Sequence, residues 1–440
     1  MNRHVVVVGA GPAGLAAASA ARRAGARVTL LDAADQAGGQ YHRMPPDVYA
    51  TAAPRLGGCD WWPESAVWSL ERHDESRPPR VHVLRGPADG TRRERRTLEP
   101  DALVLATGAH DRVLPFPGWE LPGVFTAGAA QALVKGERVP VGHRPLVTGS
   151  GPFLLPVAAA LLHAGARVRA VLEANSARTV LRGWATRPWE PAARTGKAAE
   201  LAAYAALLAR HRVPYRTGRA VVEARGDGRV EEVVTARLRA DWSVVPGTEQ
   251  TLDVDALCVT HGFSPQLELP VAAGCALRDG FVQVDGDQAT SSPGVYAAGE
   301  VTGIAGAPAA RAEGLVAGWV AGGGTPGEAL RRRRDRARAF AVRLAAAHPI
   351  GAAWPGWLRP DTVVCRCEET TYGTLRRATE EDTSAQAVKL ATRAGLGPCQ
   401  ARICGPTVAV LTGRADPHRR PIAHPIRLGE LAGDDKESSP

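Results

Sequence analysis

Hydrophobic positions along the chain form a pattern that occurs twice. The apolar run from Val5, VVVVGAGPAGLAAASAARRAGARVTLLDA, returns from Leu146 as LVTGSGPFLLPVAAALLHAGARVRAVLEA. Each copy predicts a buried parallel strand, a glycine turn, a helix rich in Ala and Leu, and a second strand. A second repeated segment follows each copy: DALVLATG at 101–108 and DALCVTHG at 255–262. The duplication therefore predicts an α/β fold with two dinucleotide-binding units of the βαβ type.

Weaker patterns lie between and after the two copies. Short β-branched runs at 80–84 and 219–238 predict antiparallel hairpins, and residues 196–211 predict an amphipathic helix. Residues from Pro293 predict a strand, a glycine turn and a last helix, and the GGGTPGE run that follows marks a boundary near 325–335. A third domain is therefore expected at the C-terminus.

Charge and composition exclude several classes of function. The formal net charge is +9, but only four of the 54 basic residues are lysines, and this bias toward Arg does not point to nucleic acid. The basic run 331–338 has no interleaved aromatic residues and is interpreted as a solvated helix start or linker. The two longest uncharged runs are interrupted by Gly-x-Gly-Pro, so no membrane span is expected. The chain opens directly on a strand, which predicts a cytoplasmic location.

The first glycine turn has the residues of a phosphate-binding site. It reads Gly-Ala-Gly-Pro-Ala-Gly over 9–14, after a strand and at the start of a helix, so its glycines allow a tight turn, close approach to a pyrophosphate and helix packing. Asp32 closes the second strand 18 residues after Gly14, where its carboxylate can accept hydrogen bonds from a ribose. A second turn, Gly-Gly-Gln at 38–40, follows directly. The candidate nucleotide-binding residues of this region are Gly9, Gly11, Pro12, Ala13, Gly14, Asp32, Gly39 and Gln40.

The second glycine turn departs from this pattern. Leu154 stands where the third glycine is expected, which should hold the helix further from the strand. The acidic residue Glu173 lies 24 residues after Gly149, one more than in the first copy, and one residue of slip turns a strand side chain to the opposite face. The spacing leaves open whether Glu173 reaches a ribose. Gly149 and Gly151 are the candidate ligand contacts of this turn. The sequence leaves three alternatives open for the second fold: it binds NAD(P), it binds another adenine nucleotide, or it binds no ligand.

Four of the seven cysteines lie near the C-terminus in two pairs. Cys365 and Cys367 are separated by one residue, and Cys399 and Cys404 follow after 31 residues. Zinc sites usually take each pair from a turn with about two to four intervening residues, whereas iron-sulfur clusters accept several spacings. The pattern therefore favours iron over zinc, with unmetallated thiols as the remaining alternative. The odd cysteine count does not indicate a disulfide framework.

The glycine turns and two further signatures resemble a known family. Residues 106–108, Ala-Thr-Gly, end a strand that enters the sheet beside the first phosphate turn, and GVYAAGE at 294–300 does the same. Together with GAGPAG and GGQ, these motifs resemble the two-dinucleotide-fold flavoproteins that include thioredoxin reductase and glutathione reductase. The resemblance covers residues 1–325 and implies FAD in the first fold, with Glu300 near the ribityl or pyrophosphate part. It adds to the candidate FAD-binding residues Thr107, Gly108, Gly299 and Glu300.

Disulfide reduction, the activity of several members of that family, is not expected here. Residues 41–43 after the GGQ turn are Tyr-His-Arg, and the nearest thiol is the solitary Cys59. Reductases of disulfides need two cysteines close in sequence near the flavin. Cys59, Cys258 and Cys275 are instead interpreted as core or surface thiols.

The C-terminal pattern resembles a second family. VVCRCEE at the first cysteine pair and ATRAGLGPCQARICGP around the second resemble the ferredoxin-like domain that binds a 2Fe-2S cluster in bacterioferritin-associated ferredoxin. This resemblance implies that the cluster ligands are Cys365, Cys367, Cys399 and Cys404. Joined behind a two-fold flavoprotein and followed by RPIAHPIRLGELA, it is similar to the A or alpha subunit of heteromeric amine dehydrogenases: opine oxidases, proline or hydroxyproline dehydrogenases, and hydrogen cyanide synthase.

The joint resemblance implies a function. A beta-type, FAD-dependent partner subunit oxidises an amine or imino acid, and this chain relays the electrons through FAD and 2Fe-2S to an external acceptor. FMN at a subunit interface and NAD(P) at the second fold stay open, and no catalytic residue is named. The alternatives are a self-contained NAD(P)H-dependent reductase and a cluster-carrying scaffold or redox sensor with a structural flavin.

The resemblance also implies a division of the chain, with the second Rossmann-like fold inserted in the first. We expect an FAD-binding domain at 1–117 and 286–328 and a second nucleotide-binding-like domain with a helical insertion at 118–285. A linker, a small α-rich 2Fe-2S domain and a tail are expected at 329–440.

Overall fold

The chain divides into two compact units. The structure is a computed structural model and describes residues 3–52, 54, 56–90, 93–185, 195–381, 384–414 and 422–432. The first unit consists of Met1–Ala109, Pro265–Ala341 and His418–Pro440, and the second of His110–Ser264 and Val342–Pro417. Each unit contains one of the two glycine turns, and the second fold is inserted in the first along the chain, as expected. The division into three domains with the boundaries given above stays a prediction.

The strands of the described residues follow the predicted pattern. In chain order they are β1 His4–Val8, β2 Arg27–Leu31, β3 Asp60–Trp62, β4 Ser65–Glu71, β5 Arg80–Arg85, β6 Glu94–Leu98, β7 Ala102–Leu105, β8 Ala109–Asp111, β9 Val124–Thr126, β10 Pro145–Gly149, β11 Val171–Glu173, β12 Tyr215–Thr217, β13 Arg219–Arg225, β14 Glu232–Arg237, β15 Gln250–Asp253, β16 Ala256–Thr260, β17 Phe263–Pro265, β18 Leu277–Arg278, β19 Phe281–Val282, β20 Val295–Ala297, β21 Val363–Cys365 and β22 Thr370–Thr371. The antiparallel pairs β4-β5 and β13-β14 confirm the predicted hairpins.

The helices include the one predicted near 196–211. In chain order they are α1 Pro12–Arg23, α2 Pro46–Ala52, α3 Ala127–Glu137, α4 Leu154–His163, α5 Ala177–Trp184, α6 Thr195–Arg210, α7 Glu268–Ala272, α8 Ala307–Ala321, α9 Glu328–Ala347, α10 Tyr372–Glu381, α11 Ala385–Thr392, α12 Gly405–Thr412 and α13 Leu428–Leu431, with a 3₁₀ turn at Trp354–Trp357. Across the described ranges, no helix has the length and apolar character needed to cross a membrane.

A parallel five-stranded sheet forms the core of the first unit, in the order β20-β7-β1-β2-β3. All residues of β1 and β7 are buried. A parallel sheet is covered on both faces, which explains why these strands read as continuous apolar runs without alternation. The carboxyl ends of parallel strands meet at one edge, so the sheet brings the turn 9–14, Asp32 and Thr107 to the same edge.

Small residues let the helices α1 and α8 of the first unit pack closely. A Cβ at Gly314 would overlap the carbonyl oxygen of Ala13, and a Cβ at Gly318 would overlap that of Ala17. Backbones that approach this closely leave no room for side chains at the crossing. The contact holds the first turn of α1 in place at the edge of the sheet.

The second unit repeats this architecture. Its parallel sheet has the order β12-β11-β10-β16-β9, and an antiparallel sheet, β13-β14-β15, lies in the same unit. The small C-terminal element of this unit contains α10–α12 and the β21-β22 pair, around a core of Val364, Leu375, Ala378 and Val388. Its helical content agrees with the α-rich domain expected from the sequence.

The basic run 331–338 lies near the start of α9, which agrees with its interpretation as a helix start, but one face of the run is not solvated. Arg334 is 5% exposed and donates to the carbonyl oxygen of Gly286 at 2.6 Å. Arg338, four residues further on, donates to Glu313 at 3.0 Å. Residues four apart lie on the same helix face, so one side of the run makes ion pairs and hydrogen bonds, with Arg334 buried and Arg338 partly buried.

Candidate cofactor sites

Close backbone contacts shape the first glycine turn. Gly9 has a φ of +100°, and a Cβ there would overlap the carbonyl oxygen of Ala106. A Cβ at Gly14 would overlap the carbonyl oxygen of Gly9. By contrast, a Cβ at Gly11 would meet no heavy atom within 4 Å. The fold itself therefore needs Gly9 and Gly14, whereas the missing side chain of Gly11 leaves a space that the fold does not use.

Helix α1 presents its N-terminus to that space. Gly11 is the N-cap without a side-chain hydrogen bond, and Pro12 occupies the first helical position. A helix N-terminus carries unpaired N–H groups and the positive end of the helix dipole, which together attract a pyrophosphate. The structure thus brings into one turn the predicted residues Gly9, Gly11, Pro12, Ala13 and Gly14.

Asp32 follows the strand beside this turn and accepts two backbone hydrogen bonds. Its Oδ2 accepts from the N–H of Ala10 at 2.6 Å, and its Oδ1 accepts from the N–H of Ala34 at 2.8 Å. Burial raises the pKa of Asp32, and these two N–H groups oppose that effect. A carboxylate has about four lone-pair positions, so two remain unused, and the residue is partly exposed. Asp32 can therefore accept further hydrogen bonds from a ribose.

The turn 38–40 packs against the glycine turn. The N–H of Gly38 donates to the carbonyl oxygen of Ala10 at 2.8 Å, and a Cβ at Gly39 would lie 3.0 Å from the Cα of Gly11. Gln40 is exposed. Gly39 thus borders the same space as Gly11, while Gln40 lies at its solvent side.

The end of β7 lies on the other side of the turn. A Cβ at Gly9 would lie 3.5 Å from the backbone nitrogen of Thr107, whose hydroxyl donates to the carbonyl oxygen of Gln266 at 2.9 Å. A Cβ at Gly108 would meet nothing within 4 Å. The structure therefore places Thr107 and Gly108 beside the first glycine turn, with open space at Gly108.

Gly299 and Glu300 lie near the N-termini of α1 and α8. A Cβ at Gly299 would lie 2.8 Å from the Cβ of Ala13. Oε1 of Glu300 accepts from the N–H of Gly306, the N-cap of α8, at 2.7 Å. Burial, with a smaller contribution from the Glu313 carboxylate, raises the pKa of Glu300 to about 7. Its contact with the ribityl or pyrophosphate part of FAD stays a prediction.

Sequence reasoning missed one buried carboxylate in this region. Glu313 is 5% exposed, and its Oε2 accepts from the N–H of Gly299 at 2.9 Å. Its Oε1 accepts from Arg338 at 3.0 Å. The available signal was an acid inside the apolar helix α8, because a buried carboxylate needs a cationic partner. Glu313 holds the loop that carries Gly299 and Glu300.

The second glycine turn has the register of the first. Gly149 pairs with Glu173 between β10 and β11, and the register of the first unit likewise puts Gly9 opposite Asp32. The extra residue of the second copy falls in 166–170, before β11 begins. The side chain of Glu173 is therefore not turned to the opposite face, and the concern raised by its spacing is wrong.

Leu154 changes the start of the second helix. Helix α4 begins at Leu154, five residues after Gly149, whereas α1 begins three residues after Gly9. Leu154 is fully buried. A leucine cannot enter the space in which the first fold packs Gly14 against backbone, so the helix begins later along the chain. A Cβ at Gly151 would meet nothing within 4 Å.

The four predicted cluster ligands lie together in the second unit as free thiols. Cys365 and Cys404 are buried, Cys399 is partly buried and Cys367 is exposed. The Sγ atoms of Cys404 and Cys365 are 3.7 Å apart, and Cys399 accepts hydrogen bonds from the thiols of Cys404 and Cys367. Within the described ranges, no group of three or more His, Cys, Asp or Glu is arranged to hold a metal ion. Four thiols nevertheless form the donor set of a 2Fe-2S cluster, and the site has an exposed edge at Cys367.

Hydrogen bonds favour the thiolate form of Cys365 and Cys399 and the neutral thiol of Cys404, whose pKa they raise. A hydrogen bond from the Cys404 thiol, assisted by the N–H of Gly395, lowers the pKa of Cys365 to about 6. Contact with the same thiol, assisted by the N–H of Ile403, lowers the pKa of Cys399 to about 4, and the single S–H proton of Cys404 is donated to one of the two sulfurs at a time. Iron binds thiolates, and N–H groups directed at sulfur also tune the reduction potential of a cluster. The residues therefore fit an iron-sulfur cluster in their chemistry.

Two contacts that the sequence did not indicate join the cysteine loops to the rest of the second unit. The guanidinium of Arg366 lies over the ring of Trp119, 4.1 Å from its centroid. Nε2 of His110 donates to the carbonyl oxygen of Arg402 at 2.6 Å. Arg366 lies between the first two cysteines and Arg402 between the last two, so each loop has its own anchor.

Comparisons with known proteins match two families to two parts of the chain. Residues 3–314 match the family of pyridine nucleotide-disulphide oxidoreductases, and residues 363–411 match the BFD-like [2Fe-2S] binding domain. The chain belongs to the pyridine nucleotide-disulphide oxidoreductase family. It is an FAD-dependent oxidoreductase that carries an additional C-terminal [2Fe-2S] domain.

Two relatives are similar to this chain over nearly its whole length. The chain is 31% identical to the A subunit of opine oxidase from Rhizobium meliloti over 477 aligned positions, which cover 97% of the chain and 87% of the relative. It is 34% identical to hydrogen cyanide synthase subunit HcnB of Pseudomonas aeruginosa, over 92% of the chain and 91% of the relative. The crystal structure of L-proline dehydrogenase from P. horikoshii has the same fold, with a TM-score of 0.67 and 19% identity over 98% of this chain and 79% of that one.

Proposed function

We propose that the chain is the electron-transfer subunit of a heteromeric amine or imino acid dehydrogenase of the opine, proline or hydroxyproline type. A partner, FAD-dependent subunit removes electrons from a C–N bond, and this chain passes them to an external acceptor. The observation that carries the proposal is the combination of a nucleotide cradle and a four-thiol site in one chain. Two relatives with nearly full-length similarity are named as subunits, which supports a partner.

The chemistry of the two cofactors suits this role. A flavin exchanges two-electron for one-electron transfer, and a 2Fe-2S cluster accepts one electron at a time. In this chain, the open side of the turn 9–14 and the unused lone pairs of Asp32 hold the nucleotide part of FAD. The four thiols hold the cluster, and the exposed Cys367 marks the side at which an acceptor approaches.

The remaining thiols support this assignment over disulfide reduction. Residues 41–43, after the GGQ turn, contain no cysteine. Burial raises the pKa of Cys59 and raises that of the fully buried Cys258 to about 12. Thiols that resist ionisation are poor nucleophiles, and neither residue has a cysteine beside it in sequence.

The test is reduction of the chain's cofactors by substrate in the purified complex. An affinity tag on the chain retrieves its partner from the source organism, and flavin, iron and sulfide are quantified, with FAD and FMN distinguished. The complex is then mixed anaerobically with L-proline, hydroxyproline and an opine. We expect one of these to bleach flavin and produce the EPR signal of a reduced cluster, which the chain without its partner does not show.

Two variants separate the relay from other roles. Cys399→Ser should keep the partner and the flavin bleaching but lose the cluster signal and the transfer to the acceptor. Cys59→Ser, a change outside both sites, should behave as the unaltered chain. Full acceptor turnover by the Cys399→Ser complex would contradict the relay. Bleaching of flavin by NADH within seconds in the isolated chain would favour the self-contained reductase instead.

A further inference from the structure

The second nucleotide fold encloses the carboxylate that such a fold offers to a ribose. Glu173 is 0% exposed. Its Oε1 accepts from the backbone N–H of Asn175 at 2.9 Å and from the side-chain Nδ2 at 3.0 Å. Its Oε2 accepts from the N–H of Gly151 at 2.8 Å, and Nδ1 of His348 lies 3.2 Å from the same oxygen.

These contacts leave no acceptor position for a ligand. A carboxylate offers about four lone-pair positions, and three of those on Glu173 take hydrogen bonds from the surrounding chain. The imidazole of His348 covers the fourth, with its Nδ1 3.2 Å from Oε2 but not aligned for a hydrogen bond. His348 itself is well buried, with 10% of its side chain exposed. A ribose would have to displace His348 before its hydroxyls could reach Glu173.

His348 begins a segment that is fixed in the core of the second unit. We call residues 348–357 the linker segment, since they connect α9 to the cysteine-bearing domain. The N–H of Ala353 donates to the carbonyl oxygen of Asp241 at 2.8 Å, and Nε1 of Trp357 donates to that of Trp242 at 2.9 Å. The rings of Trp242 and Trp357 are stacked at 5.9 Å with an interplanar angle of 8°. A Cβ at Gly351 would overlap the ring of Trp242, so the segment lies against that residue.

The linker segment is joined to the glycine turn through one polar network. Nε1 of Trp242 donates to Oδ1 of Asn175 at 3.3 Å, and Nδ2 of Asn175 donates to the hydroxyl of Ser150 at 2.8 Å. Ser150 lies inside the turn 149–151, which is buried throughout. Buried polar groups that satisfy one another in this way specify a single arrangement. The network therefore holds the linker segment and the turn together.

We propose that the second nucleotide fold binds the chain's own linker segment in the place where the adenosine ribose of a dinucleotide would lie. The fold then works as an anchor for the cysteine-bearing domain and takes up neither NADH nor NADPH. The inference does not rest on the proposed function, because it concerns only groups within the second unit. A failure of the electron relay would leave it intact.

The test uses the full chain with its flavin and cluster in place. Equilibrium dialysis with NADH, and separately with NADPH, at concentrations up to about 1 mM measures binding. Hydrogen exchange followed by mass spectrometry measures the protection of amides in the linker segment and around Glu173. We expect no saturable binding of either dinucleotide and slow exchange of the amides of Asn175 and Ala353, which are both hydrogen-bonded.

Two histidine variants show whether the contact at Glu173 holds the segment. His348→Ala should accelerate exchange at residues 173–176 by about tenfold or more, because the Glu173 carboxylate loses the side chain that covers it and water can enter. His163→Ala removes an exposed histidine at the end of α4 and should leave exchange unchanged. The proposal is overturned by saturable binding of NADH or NADPH that Glu173→Gln abolishes. It is overturned equally by fast exchange of the linker segment in the unaltered chain.

Discussion

The two nucleotide folds of this chain arise from one repeated pattern and differ in what their acidic residue does. Asp32 and Glu173 stand at the same register position opposite the first glycine of their turns. Asp32 accepts two backbone hydrogen bonds and stays partly exposed. Glu173 is enclosed by three hydrogen bonds and a histidine. The comparison teaches that a glycine turn with an acidic residue opposite its first glycine can bind a ribose only if the carboxylate oxygens still have free lone pairs.

One methylene group accounts for part of this difference. The shorter Asp32 reaches the N–H of Ala10, one residue after the first glycine. The longer Glu173 reaches the N–H of Gly151, two residues after the first glycine of its own turn. The carboxylate of Glu173 therefore lies further under the turn, where Asn175 can contact it with both its backbone and its side chain.

The largest effect is expected from Gly14→Ala in the first fold. The added Cβ would overlap the carbonyl oxygen of Gly9, so the start of α1 must move. We expect the free energy of unfolding to fall by about 3 kcal/mol and FAD to be lost on purification. Denaturant titration and the ratio of flavin to protein absorbance measure the two effects. Gly429→Ala, at an open position in α13, is the control, and a Gly14→Ala chain that matched it would contradict the packing of the first fold.

Replacing Glu173 and Asp32 by their amides should affect different properties in the two folds: stability in the second fold and flavin content in the first. Both oxygens of the Glu173 carboxylate accept hydrogen bonds from donors of the chain, so Glu173→Gln forces an NH₂ group against at least one of these donors. We expect a loss of about 2 to 3 kcal/mol in unfolding free energy with unchanged flavin content. Asp32→Asn should lower the flavin content more than the stability. Equal effects of the two variants on flavin content would remove the distinction between the folds.

The sequence predicted the architecture well because it is encoded in repeated apolar runs. The two copies beginning at Val5 and Leu146, the hairpins and the helix at 195–210 depend on local periodicity, which a single sequence shows directly. The cysteine spacing likewise indicated which four thiols lie together. These features could therefore be predicted without knowing which residues distant in the sequence are in contact.

The contacts that sequence reasoning missed depend on residues far apart in the chain. The number of residues between Gly149 and Glu173 suggested that the Glu173 side chain is turned to the opposite face of the sheet. The extra residue lies before β11, outside the paired strand, so the strand register is unchanged. The contact between Glu173 and His348 joins residues separated by most of a domain, and neither position is unusual in its local sequence. Arg338 looked like part of a solvated basic run because its partner Glu313 belongs to another helix.

Two buried groups, one in each unit, should also make contributions to stability that respond to pH in opposite directions. The pKa of Glu300 in the first unit is raised from 4.5 to about 7, so folding favours its protonated form. The stability that it contributes is present below about pH 4.5 and is lost as the pH rises through about 7. Burial lowers the pKa of His261 in the second unit from 6.5 to about 3, so its contribution is present above pH 6.5 and is lost as the pH falls through about 3.

Denaturant titrations of the flavin-depleted chain between pH 4 and pH 8 measure this contrast. Glu300→Gln should remove the loss of stability between about pH 4.5 and 7, which we expect to amount to roughly 2 kcal/mol for this partly buried group. His261→Gln should reduce the loss below pH 6.5. A Glu300→Gln chain with the pH profile of the unaltered protein would show that this carboxyl ionises normally.

The smallest and most specific effect is expected from alanine at the two open glycines. Gly11 has a φ of −72°, which alanine adopts without strain, and its Cβ would enter only the space above the first turn. We expect Gly11→Ala to weaken FAD binding about tenfold, or about 1.4 kcal/mol, and to leave the unfolding of the flavin-depleted chain unchanged. Gly151 has a φ of +105°, so Gly151→Ala should cost about 1 kcal/mol in stability and leave FAD binding unchanged. Both positions are sterically open, so a difference in FAD binding between the two variants reports contact with the ligand. Weaker FAD binding in Gly151→Ala would place a flavin contact in the second fold.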